Sequence, residues 1–412
     1  MKYDLCIYED DKAIQFYPLT LTRPVHELRC GMLSLSRKMI RRFPGHRIRY
    51  FVRRDMAEVL VDTRIDANAS PSPESGAVFI NSRFILQEDL PDVFDRSVTF
   101  HVDGVCVGGY LKKADLKRLQ FGADDLFSEE TFAGLPAFPV KGILLSYPWD
   151  LVHLNAEQIR DDFDFVGRGG QILGKLYQNV TLLAQENIHI GIDAMLYPGV
   201  VIDGEAGPVY ISEGAKVMAN AVIEGPAFIG KDTTIKIGAK IYGGTTIGDV
   251  CKVGGEVEGS ILHGFANKQH EGFLGHAYLG EWTNLGADTN NSDLKNNYKS
   301  VRVYINNEMV DSGSMFVGLF MGDHSKTGIN TMFNTGTVVG TCCNVFGAGY
   351  PPKHIPSFTW GGGEGSEKYQ IEKALETARA VMQRRKQEMT PAQEALLRKI
   401  YQAATDTNEK SK

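Results

Sequence analysis

The chain has 412 residues, with 44 Lys+Arg against 50 Asp+Glu, so its net charge is −6. A mildly acidic chain of this length without a basic block argues for two or three domains and against a nucleic-acid binder. Hydrophobic residues make up 43%, which excludes global disorder, and the 44 glycines exceed the usual ~7% and lie mostly after residue 170.

No run of about 18 apolar residues occurs, so no membrane span is expected. The start, MKYDLCIYED, carries no apolar signal core. Cys6, Cys30, Cys106, Cys251, Cys342 and Cys343 form no CxxC pair. Reduced thiols in a cytoplasmic protein fit them better than disulfides or a zinc cage, and Cys342-Cys343 reads as two neighbouring wall positions.

Residues 1–150 read as an α/β domain. Apolar runs at 4–9, 47–52, 77–82 and 98–111 have strand character, and 31–43 has helical spacing ending before Pro44-Gly45. Residues 151–185 form a connecting segment, with a short helix expected to open at Asn155 as its N-cap.

The pattern then changes. Ile211, Val217, Ile223, Ile229, Ile235, Ile241, Ile247 and Val253 recur every six residues, after Ile190, Leu196 and Ile202 and an irregularity at 204–208. Period six fits neither a helix nor a plain strand. It predicts a left-handed parallel β-helix over 186–355, in which three hexapeptides make one triangular coil and glycine serves the corners. An irregular all-β domain is the alternative. Residues 301–313 read as a hairpin turning at Asn306-Asn307, an excursion from the coil. Residues 356–412 form a helical segment: Ile371, Leu375, Ala378 and Met382 make a stripe, and Thr390-Pro391 restarts a helix that would cap the open end of the coil. Arg384-Arg385-Lys386 reads as a solvated face.

The polar stretch 266–303 interrupts the solenoid and must face a cleft. It holds His270, His276 and many asparagines. From His270 it runs H-E-G-F-L-G, then Leu279-Gly280, then Asn284-Leu285-Gly286-Ala287-Asp288-Thr289. Here the sequence resembles the bifunctional uridyltransferase/acetyltransferases that make UDP-N-acetylglucosamine, whose β-helix carries H-x-x-Y-L-G and N-[IV]-G-A-G-T at this spacing. The resemblance implies a β-helix that transfers an acetyl group from acetyl-CoA to an amino-sugar 1-phosphate, in a homotrimer with clefts shared between subunits. It implies that His270 is the base, that Asn284 contacts the amino sugar and that Ala287 lies by the thioester. The family's tyrosine is Phe273 here, Asp288 replaces a glycine, and Glu256 and Glu258 stand where a phosphate-binding lysine is expected. Lys268, Lys295 and Arg302 are candidates for the missing positive charge, and Asn297-Tyr298 for the family's Asn-Tyr pair. Such chemistry needs little more than a neutral imidazole to take the amine proton near pH 7. The plainer reading of either histidine is a hydrogen-bonded scaffold residue; His324 reads as a wall residue or a coenzyme A contact.

The first domain resembles sugar nucleotidyltransferases more faintly. Their glycine-rich phosphate loop is absent after the first strand, and a Leu21-Thr22-Arg23-Pro24 core with Glu27-Leu28-Arg29-Cys30-Gly31 stands instead, like the variant module joined to β-helices in Bacteroidetes-type proteins. The resemblance implies nucleotidyl transfer from an NTP to a sugar 1-phosphate, with Arg23, Arg29 and Asn81 at the nucleotide and sugar phosphate and Asp103 a carboxylate for Mg²⁺. The plainer reading pairs Arg23 and Arg29 with Glu27 and nearby acids. A nucleotidyltransferase whose β-helix only assembles subunits, and a non-catalytic sugar-nucleotide-binding scaffold, are the rival functions.

Overall fold

The computed structural model describes residues 3–62, 67–69, 71 and 76–410. The first domain is built on a six-stranded mixed sheet in the order Ile48–Phe51, Asp4–Tyr8, Ala77–Asn81, Val105–Leu111, Val98–Val102, Ala137–Pro139. The first three strands run parallel, and the fourth and fifth form an antiparallel hairpin. The apolar run 98–111 is therefore two strands, broken at Asp103-Gly104, both at positive φ.

Two local expectations change. The stretch 31–43 is not one helix: Arg29–Cys30 and Leu33–Ser34 pair as a small hairpin, and α1 covers only Leu35–Ile40, with Ser34 as its N-cap. Gly31 turns the hairpin at φ +78°, where a Cβ would stand 2.6 Å from the Gln158 backbone. Further on, α2 covers Arg54–Asp62, and α3 runs from Pro148 to Val166 with Tyr147 as N-cap. Asn155 is thus not a cap but a buried mid-helix residue. Its Oδ1 accepts from Gly31 N (2.7 Å), and its Nδ2 donates to Gly244 O (2.7 Å) and Thr246 Oγ1 (3.0 Å). The segment expected to link two domains is packed between them.

The hexad step produces the three-sided parallel coil it predicts. One sheet runs from Lys175–Leu176 to Asn267–Lys268, a second from Thr181–Leu183 to Phe273–Gly275, and a third of nine strands from Ile188–Ile190 to His354–Ile355. The coil begins before residue 186. Inward side chains stack in register, as Val217 on Ile235 and Ile235 on Val253, and are fully buried. The excursion is a hairpin, Arg302–Ile305 with Glu308–Asp311, and Asn306 and Asn307 both take positive φ.

Glycine does not serve every corner. Between the third and first sheets the left-handed position is taken by Asp232, Val250, Phe265, Trp282, His324 and Cys342 in successive coils. Phe265 and Trp282 stack at 4.1 Å, and the Trp282 and His324 rings lie parallel at 6.2 Å. This corner is covered rather than wet. After a short hairpin, Thr359–Gly362 with Gly365–Lys368, α4 (Ile371–Gln383) and α5 (Pro391–Lys410) pack with α2 and bury Cys342 and Phe358. The helices thus lie along the flank of the coil against the first domain. Thr390 does cap α5, accepting from Gln393 N at 3.2 Å. Arg385 is tied down, donating to Val250 O and Asn267 Oδ1, and does not belong to a solvated face.

Candidate active sites

On the coil, residues 269–272 form the corner between the first and second sheets, and 286–289 and 328–331 form the same corner in the next two coils. Asp288 N donates to Glu271 O and Asn330 N to Ala287 O, so these turns stack. His270 is exposed at this corner, Ala287 lies one coil further on, and Asn284 bridges Asn267 and Lys326 in the adjoining sheet. Phe273 begins the next strand, its N–H donating to Asn290 Oδ1 at 2.7 Å. The structure thus brings His270, Asn284, Ala287 and Phe273 to one edge of the prism. No side-chain hydrogen bond or ion pair holds the His270 imidazole among the described residues.

Other site candidates fall elsewhere. Lys268 points inward and cannot meet a sugar phosphate: it is 2% exposed, and its Nζ donates to Gly254 O (3.0 Å) and His270 O (2.8 Å). Asn297, Tyr298 and Arg302 lie on the excursion, which leaves the coil at the opposite end of the second sheet. Tyr298 is 68% exposed there, and Arg302 donates to Met309 O within its own hairpin. Lys295 Nζ is spent on Ser300 O.

His276 stands at that second corner, at the far end of the Phe273–Gly275 strand from His270, with φ +44°. Its Nδ1 lies 2.8 Å from Asp293 Oδ2, and its ring sits 5.2 Å from that of Phe316. Glycines make the room: a Cβ on Gly275 would meet Asp293 Oδ2 at 2.4 Å, and one on Gly259 would meet His276 Nε2 at 3.2 Å. Reading the sequence missed Asp293, because its separation of 17 residues is one coil length.

In the first domain the arginines are not free for phosphate. The buried Arg23 guanidinium binds Asp323, lies 3.5 Å from Glu281 Oε1 and reaches His263 Nδ1 at 3.2 Å. All three partners are on the coil. The plainer reading of Arg23, with coil carboxylates in place of local ones, is therefore what the fold contains. Burial lifts the Glu27 carboxyl beside it to about 7. Arg29 donates to Met32 O at 2.7 Å, lies 3.8 Å from Asp249 Oδ2 and covers the Phe228 ring. Both arginines are docking residues between the modules.

The loop that replaces a glycine-rich turn is held by its own charges. Glu9 accepts from Val25 N and from Arg53, whose other nitrogen donates to Thr20 O and Arg23 O. Asn81 is fully buried and donates to Asp10 Oδ2 (2.8 Å), while Arg83 closes on the same carboxylate. Asn81 therefore belongs to a polar knot at the carboxyl ends of the parallel strands. Asp103 is exposed at a hairpin tip, and the described residues contain no group of three metal-binding side chains. Alone at that tip it could supply one ligand to a Mg²⁺ held mainly by substrate phosphates. Beyond the carboxyl ends of the first strands a crevice of about 640 Å³ opens, lined by Tyr17, Arg53, Arg54, Tyr304, His354 and Lys399. Such crevices are where open α/β sheets take ligands.

Residues 5–171 match the family model described as sugar nucleotidyl transferase. The first domain is accordingly a nucleotidyltransferase-type α/β domain, joined to a parallel β-helix. Among curated proteins the chain is similar to the bifunctional protein GlmU of Bartonella bacilliformis, 31% identical over 31% of this chain and 29% of that protein. It is also similar to that of Methanococcus aeolicus, 34% identical over 38% of each. The bifunctional sugar-1-phosphate nucleotidylyltransferase/acetyltransferase of Sulfurisphaera tokodaii is 30% identical over 22% of this chain and 23% of that protein. The matches span only 29%, 38% and 23% of the length of these three curated relatives. Among solved structures, the UDP-N-acetylglucosamine acyltransferase from Campylobacter jejuni covers 53% of this chain and 94% of its own at 13% identity, with a TM-score of 0.22. That from Francisella novicida covers 53% and 73% at 16% identity, with a TM-score of 0.24. At these scores the overlaps bear on neither site.

Proposed function

We propose that the protein is a two-activity transferase of sugar-nucleotide synthesis in the cytoplasm. The coil transfers an acetyl group from acetyl-CoA to an amino-sugar 1-phosphate. The first domain transfers a nucleotidyl group from an NTP to the resulting sugar 1-phosphate. The observation that carries this reading is the gathering of His270, Asn284 and Ala287 on stacked turns of one corner, the residues the GlmU-like resemblance calls for. There the His270 imidazole takes the proton of the attacking amine, and backbone N–H groups of the turns receive the thioester oxyanion.

A homotrimer completes the coil site. Ile237 and Ile329, 62% and 74% exposed on the His270 corner, with Val222 at 41% on the second sheet, are the apolar surface a neighbouring copy would cover. Nucleotide binds in the crevice beside Arg54 and Lys399, exposed cations whose surface pairs with Asp125 and Asp55 a triphosphate can displace, while Arg53 stays with Glu9. Its Mg²⁺ arrives on the triphosphate, since Mg²⁺ keeps waters and needs few protein ligands. The test is direct: acetyl-CoA-dependent thiol release with an amino-sugar phosphate, and NTP-dependent pyrophosphate release with its acetylated product. Pyrophosphate without thiol would leave the coil a scaffold, and neither would leave a binding protein.

One observation favours a second assignment of the base. His276, held through Nδ1 by Asp293, is the better oriented imidazole. Comparing His270→Ala with His276→Ala decides between them.

A further inference from the structure

Lys268 occupies a place that the hexad step reserves for an aliphatic side chain. It pairs with Val253 in the register that stacks Val217, Ile235 and Val253 down the inside of the first sheet. Its ammonium is held by two backbone carbonyls, Gly254 O and His270 O. The cradle is built for it: a Cβ on Gly255 would stand 2.7 Å from both the ammonium and His270 O, and that glycine takes φ +69°. A valine or leucine would fill the position without burying a charge. Burial draws the Lys268 amine down to about 8, with Lys240 adding to the effect and Glu271, Asp288 and Glu256 opposing it.

We propose that Lys268 is a positioning residue for the coil's acetyl transfer, its ammonium fixing the 269–272 turn so that the His270 imidazole faces the acceptor amine, at a cost to the stability of the coil. This rests on the reading of His270 given above. The ammonium needs both carbonyls to stay buried; the Glu271 and Gly272 carbonyls of the turn are held by Asp288 N and Glu256 N, and among the described residues Lys268 is the donor that fixes the His270 carbonyl itself. Function and stability then respond to pH in opposite directions. The folded amine loses its proton near 8, whereas an unfolded lysine holds it to about 10.4. Across that window the unfolded chain binds more protons, so this group makes stability rise with pH. The same loss releases the turn, so activity falls.

The experiment is the pH profile of acetyl-CoA-dependent thiol release, with an amino-sugar phosphate as acceptor and acceptor-free blanks subtracted. It is run on the wild type, Lys268→Met and Lys268→Gln, with thermal unfolding alongside. Wild-type kcat should fall about tenfold per pH unit above about 8, while its melting temperature relative to Lys268→Met rises. Lys268→Met should melt higher than wild type at pH 7 yet turn over roughly tenfold to a hundredfold more slowly, the usual effect of a misplaced reacting group. Lys268→Gln, which can still donate to one carbonyl, should recover part of the rate and show no alkaline limb. Should wild-type kcat stay flat to pH 9.5, or Lys268→Met keep full activity, the inference is wrong while the acetyl-transfer reading stands. A wild type that releases no thiol at pH 7 sinks that reading and the inference with it. The wild-type profile decides even where both variants fail to fold.

Discussion

Asp293 lies one coil beyond His276 and holds its Nδ1 at 2.8 Å, whereas His270, six residues before His276, has no side-chain partner among the described residues. The pair also fixes the point where the excursion leaves the coil, for Leu294 bridges Phe316 immediately after Asp293. Two histidines close in sequence thus stand at opposite ends of one short strand.

The first prediction follows from that separation. With His270 as base, His270→Ala lowers the acetyl-transfer rate by roughly 10²–10⁴. His276→Ala and Asp293→Asn then change the rate only severalfold, remove about 1.5–3 kcal/mol of hydrogen bonding to a charged group, and expose the excursion to limited proteolysis. Steady-state kinetics with timed digestion checks both. The reverse order of rate effects transfers the base to His276.

Arg23 gives the second. Its removal leaves Asp323 and Glu281 facing each other at the junction of the modules. Breaking a buried pair on one side is costly, so Arg23→Ala should lower the unfolding free energy by about 3–5 kcal/mol. Replacing Asp323 by Asn in the same chain should recover part of it. Urea unfolding of the two variants is the measurement. An Arg23→Ala protein of full stability that has lost NTP binding would restore the arginine to the phosphate site.

Acid sensitivity is the third. Burial lowers His26 to about 3 and both His324 and His354 to about 4. Each stays neutral in the folded chain while the unfolded chain takes up a proton below about 6.5. The unfolded state binds more protons there, so these groups make stability fall as pH drops from about 6.5 toward 4. Glu27 works the other way: raised to about 7, it stays protonated in the folded chain and adds stability as pH falls from about 7 toward its unfolded value. Three histidines outweigh one carboxyl, and the melting temperature should decline between pH 6.5 and 4.5. His324→Phe should flatten that decline; an unchanged slope would show that His324 is not held neutral.

A fourth prediction concerns the hexad core. Ile235 is fully buried between Val217 and Val253. Ile235→Ala should cost about 2–5 kcal/mol, read as a shift of the urea midpoint without a change of slope.

The repeat was legible because an inward aliphatic every sixth residue is a local regularity that survives any context. The Asn306-Asn307 turn and the Thr390 cap were legible for the same reason. The corner residues were not: glycine is the ordinary solution for positive φ, but Trp282 and His324 take that conformation under the cover of α4 and α5, which no local pattern announces. Asn155 looked like a helix cap because asparagine favours caps, and a buried partner on the coil overrode the propensity. For Arg23 the family resemblance implied a phosphate and the plainer reading a nearby acid such as Glu27. Its true partner, Asp323, lies 300 residues away. In 266–303 the polar run did mark an exposed corner, yet only the folded coil separates Lys268, turned inward, from His270, turned out.

Asn155 sets a rule for how such a protein can be divided or recombined. One amide side chain serves Gly31 of the first module and Gly244 and Thr246 of the second, and Thr246 in turn donates to Gly31 O. Separation of the modules on either side of Asn155 strips partners from buried groups: before it, Gly31 N and O lose theirs, and after it, Gly244 O, Gly31 O and the Thr246 hydroxyl do. Exchange of either half with a relative would succeed only when this four-way contact travels as a set, so the two modules are inherited, truncated and lost together.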